Sequence, residues 1–156
     1  MMKIIARILI LVLLPVSLFS QSAMDILKSD LGKNLGICLA CNMEVFEKMM
    51  TRTEIFMDDT VYHACGLGCA ATIMQGKTVK EIKSVDFKTF KLIDAKKAWF
   101  VVGSVIIPVR AMLPAFSFSS KDDAENFAKI YGGRLFDYKG MIDFVKKISE
   151  ERKKRK

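Results

Sequence analysis

Four cysteines fall in two close pairs, Cys38 and Cys41 in CLACNM and Cys65 and Cys69 in YHACGLGCA. Met43 follows the first pair, and the only histidine of the chain, His63, precedes the second. A CxxC turn holds two sulfurs close enough for one metal ion or one disulfide, and Met43 adds a thioether to the same loop. Cys65 and Cys69, four residues apart, share one face if Gly66 to Met74 is helical. Cys65 then sits near the start of that helix, where backbone donors and the dipole favour a thiolate. If the preceding strand runs on to Cys65, His63 lies on the same side and reaches the same site. Thiolate and thioether donors suit Cu(I), whereas four thiolates in a tetrahedron suit Zn(II) or an iron and sulfur centre; Met43 tilts the reading towards copper.

Plainer readings stand beside this one. The pairs can be structural disulfides, Cys38 and Cys41 can be the dithiol of an exported oxidoreductase, or the cluster can belong to a structural zinc or interaction module. Cys65 and Cys69 can also be small buried apolar residues. Met49 and Met50 are candidate auxiliary ligands, while Met57, Met74 and Met141 occupy core positions. Trp99 and the eleven phenylalanines are read as core. No phosphate loop, Ser/His/Asp set or paired acidic dyad is evident, which leaves no reading as an enzyme outside thiol chemistry.

The elements that must position these sulfurs form an α+β pattern. A short helix is expected over Met24 to Lys33, then the CLACNM loop, then a hairpin of Thr53 to Met57 and Thr60 to Ala64 around Asp58-Asp59. Gly66 to Met74 reads as a helix closed by Gly76, and a polar stretch runs from Lys77 to Ser84. Strands are expected over Asp86 to Asp94, Ala98 to Val102 and Ser104 to Pro108. Ser119 or Ser120 caps a helix with Asp122 and Asp123 in its first turn and Ala124, Phe127, Ala128 and Tyr131 on its apolar face, ending at Gly132-Gly133. Arg134 to Tyr138 is a final strand, and Met141, Phe144, Val145 and Ile148 mark a C-terminal helix. The expected architecture is therefore two small related lobes, each a β-hairpin packed with a helix, plus that C-terminal helix. With 51% hydrophobic residues in 156, the chain buries a core without needing disulfides to fold.

The first 22 residues read as a cleavable export signal, with Lys3 and Arg7 before the apolar run Ile8 to Phe19 and Ser20-Gln21-Ser22 at the cleavage point. That run is shorter than the roughly 20 residues a membrane-spanning helix needs. Export places residues 23–145, the metal-binding domain, in the periplasm or cell envelope. The formal charge of +8 resides mostly at the ends: the signal carries two cations, and the 146–156 tail carries seven basic and two acidic residues. The body keeps +1, so nucleic acid is not an expected partner. The tail is read as a solvated helix end that touches anionic headgroups, or simply as cations matched to a helix C-terminus.

The motif CxxCxM, followed downstream by IDAKKAWFVVGS and by VVGSVIIPVRAMLPAFSFSSKDDAENFAKIYGGRLFDY, resembles the NosL family of exported copper chaperones associated with nitrous oxide reductase. The resemblance covers about Gly36 to Tyr138. It implies a two-lobed α+β fold, Cu(I) binding and delivery to a copper-accepting enzyme or other copper-transfer protein, without catalytic turnover. Cys38, Cys41 and Met43 match the family's metal motif, and Met112 lies near a loop where the family carries a methionine. Two departures are visible: Val109 follows Pro108 where methionine is common, and the lipobox cysteine of many relatives is missing. VYHACGLGCA also resembles the second half of TRASH or YHS-like modules, in which a CxxC and a later CxxxC hold one metal. That likeness implies that the hairpin brings both cysteine pairs around one ion.

Overall fold

The computed structural model describes residues 30–107, 113 and 115–155. The segment expected to be an export signal, most of the helix expected over Met24 to Lys33, and Met112 lie outside the described residues. The chain is α+β, with three small antiparallel sheets and three described helices.

A two-stranded ribbon, β1 (Asn34–Ile37) and β2 (Glu44–Phe46), flanks the CLACNM turn. The hairpin β3 (Thr53–Met57) and β4 (Thr60–Ala64) follows in unbroken register, Thr53 opposite Ala64 and Met57 opposite Thr60. Its two-residue turn is Asp58-Asp59, both at positive φ (50° and 55°), the primed geometry that matches strand twist. The first helix, α1 (Leu67–Ile73), leads to β5 (Glu81–Val85) and β6 (Leu92–Asp94), completing a sheet of order β4-β3-β5-β6. Asp94 then caps a single 3-10 turn, Ala95–Lys97, its carboxylate accepting from Lys96 N at 3.0 Å.

The second lobe repeats the connection. A hairpin, β7 (Trp99–Val102) and β8 (Ala115–Phe118), is followed by α2 (Lys121–Tyr131) and by β9 (Arg134–Asp137), which pairs with β7 on the side away from β8. In both lobes a strand after the helix thus returns antiparallel to the first strand of the hairpin. The C-terminal α3 (Tyr138–Lys154) packs on α1 and β9. The basic residues from Lys146 continue this helix.

Strand β7 serves both cores because its side chains alternate. Phe100 and Val102 join the cluster of Ile55, Met57, Ile82, Ala70, Met141 and the cysteines, while Val101 joins Phe116, Phe118, Ala124 and Phe127 on the opposite face. That second cluster is aromatic, with Phe87 edge-on to Phe116 at 4.7 Å and to Phe127 at 5.1 Å. Gly133, at φ 107°, lets the turn between α2 and β9 pass so close that a Cβ would lie 2.8 Å from Val101 Cγ1.

Several expectations need correction. Lys77 to Ser84 is not wholly irregular, since β5 begins at Glu81. Asp86 to Asp94 is not one strand. Its first half is a turn in which Asp86, 1% exposed, accepts from Thr89 N and Oγ1 (3.2 and 2.6 Å) and from Ser119 N (3.0 Å). With Phe87 N donating to Ser117 O at 2.8 Å and Ser117 Oγ to Val85 O at 2.6 Å, this turn joins the two lobes. Ser104 to Ile107 is not a strand; β8, which was not anticipated, begins at Ala115.

Candidate metal centre

Each cysteine is placed by a different piece of local structure. Cys38 leaves β1 and closes the CxxC turn: its N–H donates to Met43 O at 2.8 Å, and its carbonyl accepts from Asn42 N at 2.9 Å and Cys41 N at 3.3 Å. Asn42 takes the left-handed conformation (φ 57°) that reverses the chain into β2. Cys65 follows the last residue of β4, and its carbonyl accepts from the buried Thr51 Oγ1 at 2.6 Å. Cys69 lies one turn further, inside α1.

The four Sγ atoms all lie within 4.8 Å of one another. Cys41 Sγ is 3.1 Å and Cys69 Sγ 3.5 Å from Cys65 Sγ, and all four are free thiols. A tetrahedral ion bonded to four sulfurs at about 2.3 Å would hold them about 3.8 Å apart, within the spread observed. The donor set therefore fits one soft ion with little rearrangement.

Electrostatics within the cluster are uneven. Cys38 is held well below the usual thiol range because the thiols of Cys65 and then Cys69 donate to its sulfur, as do the backbone N–H groups of Cys65 and Ala40. Cys65, through its hydrogen bond with Cys38 above all, is pushed up to about 12, and Cys69 is raised by its hydrogen bonds with Cys38 and Cys65 and by burial. Hydrogen bonding within the group thus lowers the Cys38 thiol and raises that of Cys65, opposite to the push that a helix start alone gives Cys65. A bound cation would replace the remaining thiol protons.

The other sequence candidates are distributed around this group. Met43 is half-buried at the end of the CxxC turn, where its backbone carbonyl closes the loop. Strand β4 stops at Ala64, so the alternation that would align His63 with Cys65 ends one residue short. His63 faces Glu54 across the hairpin, with Nδ1 3.8 Å from Glu54 Oε1, and is not among the grouped metal donors. Burial holds its pKa below the ordinary 6.5, with Glu54 opposing and Arg52 reinforcing that shift. Met49 spends its sulfur on a local bond, accepting from Phe46 N at 3.2 Å, and Met50 is exposed. Sequence reasoning missed Thr51, whose hydroxyl fixes the Cys65 turn; nothing in a lone threonine 14 residues upstream signals that role.

The NosL family model matches residues 33–143, which include all four cysteines and both lobes. The chain belongs to the NosL family. Among solved structures, it is similar to the copper chaperone NosL from Shewanella denitrificans, at 25% identity and a TM-score of 0.60, covering 69% of this chain and 90% of that one. No curated protein sequence matches the chain significantly. Membership of the NosL family makes this a non-enzymatic protein. In keeping with that, its CxxC lies in a turn between two strands, whereas redox dithiols of that spacing stand at helix starts.

Proposed function

We propose that this NosL protein is an exported Cu(I) carrier, which holds the ion among its clustered sulfurs and passes it by ligand exchange to a copper enzyme. The observation that carries the reading is the convergence of four free thiols from two distant segments within 4.8 Å. Family membership and likeness to a copper chaperone support copper as the cargo, and thiolates are good Cu(I) donors. The positively charged, apolar N-terminus supports export to the periplasm or cell envelope, and nitrous oxide reductase is the acceptor that the family resemblance favours. Met43 is the thioether best placed along the chain to add to the site.

Anaerobic titration of the reduced protein with Cu(I) tests this. About one equivalent should bind, with large loss of affinity in Cys38→Ser and Cys41→Ser; no binding, or binding unchanged in both variants, overturns it. A second reading, Zn(II), is favoured by the all-thiol donor set. Competition between Zn(II) and Cu(I) on the same protein decides between them.

A further inference from the structure

The four sulfurs are not equivalent, and the difference points to the route by which the ion leaves. Cys38 and Cys65 are fully buried and Cys69 is 3% exposed, whereas Cys41 is only partly buried. The buried three are also the better anchored. Cys38 is tied through N–H and carbonyl to Met43 and Asn42. The Cys65 carbonyl is pinned by Thr51, and Cys69 is embedded in α1 beside the buried Ala70, Ala71 and Ile73. Cys41, by contrast, has a single long backbone bond, to the Cys38 carbonyl (3.3 Å), and beyond the turn it meets the body through its half-buried sulfur, 3.1 Å from Cys65 Sγ. Asn42 beside it is exposed, as is Leu39 earlier in the turn at 61%, so the turn projects from the body here.

We infer that Cys41 is the exchange ligand: an incoming acceptor thiol displaces it first, while Cys38, Cys65 and Cys69 retain the ion. This rests on the copper-carrier reading above. In the step, the bond from Cu(I) to Cys41 sulfur breaks as the bond to the acceptor sulfur forms. The acceptor thiol loses its proton, Cys41 takes one up, and copper remains Cu(I). The acceptor is therefore a protein presenting an exposed copper donor, for which a reduced cysteine is the probe, because a buried donor cannot reach a ligand set open on one side only.

The test loads the full reduced chain with one Cu(I), adds a synthetic CxxC peptide as acceptor, pulses with N-ethylmaleimide and maps the labelled cysteines by mass spectrometry. Because a released, accessible thiol reacts far faster than a bound or buried one, Cys41 should label at least about 10-fold faster than the other three in the ternary complex. Its labelling should also be faster than in loaded protein without peptide. Copper that loads but shields Cys41 equally with and without peptide, or release of another cysteine first, overturns the exchange role alone. Failure of the protein to load Cu(I) overturns the carrier reading and this inference together.

Discussion

The two lobes share one connection, hairpin, helix and returning strand, yet their helices are stabilised in opposite ways. Helix α2 has 11 residues, Ser120 as N-cap with its hydroxyl accepting from Asp123 N, and Asp122 and Asp123 in the first turn. Helix α1 has seven residues, no side-chain cap, no acidic residue at its start and no basic residue at its end, and six of the seven are buried. So short a helix is marginal by itself. It exists because the core and the adjoining sulfur cluster hold it, whereas α2 carries its own end signals. The lobe built on local signals supplies a scaffold; the lobe built on burial supplies a site.

The contrast can be broken from either side. Phe116 is fully buried among Phe87 and Phe127 in the second lobe, and Phe116→Ala should cost about 3–5 kcal/mol in denaturant unfolding. Copper stoichiometry should remain unchanged under conditions where the variant stays folded, because the sulfurs belong to the other core. Loading with Cu(I) should act mainly on the first lobe. At free metal a hundredfold above Kd the gain is about 2.7 kcal/mol, less whatever the unfolded thiols bind, with hydrogen-exchange protection rising at α1 and the β1–β2 ribbon more than at α2. Ser120→Ala should cost about 1 kcal/mol and fray α2 without changing copper affinity.

The smallest effect concerns His63. Its folded pKa is lowered chiefly by burial, so the neutral form is favoured in the fold and the proton in the unfolded chain. Stability contributed by this group is present above about 6.5 and declines as pH falls through that value towards the folded pKa. Chemical denaturation between pH 7.5 and 5.5 should show this slope, and His63→Gln should reduce it.

What the sequence disclosed follows the same division. The β3–β4 hairpin was legible because β-branched and aromatic runs flank Asp58-Asp59, and α2 because Ser120, the acidic first turn and Gly132-Gly133 mark its ends. Strand β5 was hidden because Ser84 points inward, its hydroxyl 3.1 Å from Thr53 Oγ1, so a buried position reads as polar. Strand β8 was hidden because all four of its residues are buried and nothing alternates. Asp86 misled for a similar reason: its carboxylate is satisfied internally at the lobe junction, a role that only tertiary structure reveals. At the site, spacing sufficed to bring the cysteines together but not to rank them, since burial and anchoring depend on Thr51 and α1.

The β1–β2 ribbon has a further consequence. It is two strands wide, irregular in register and exposed along most of β1, with Val45 and Phe46 of β2 buried against the body, and its turn brings Cys38 and Cys41 to Cys65 and Cys69 at the sulfur cluster. An ion shared by the two pairs would clamp the ribbon down, and its departure would free it to open locally. Proteases would then cleave emptied molecules sooner than filled ones, so that the lifetime of the protein would itself report how much copper is available to it.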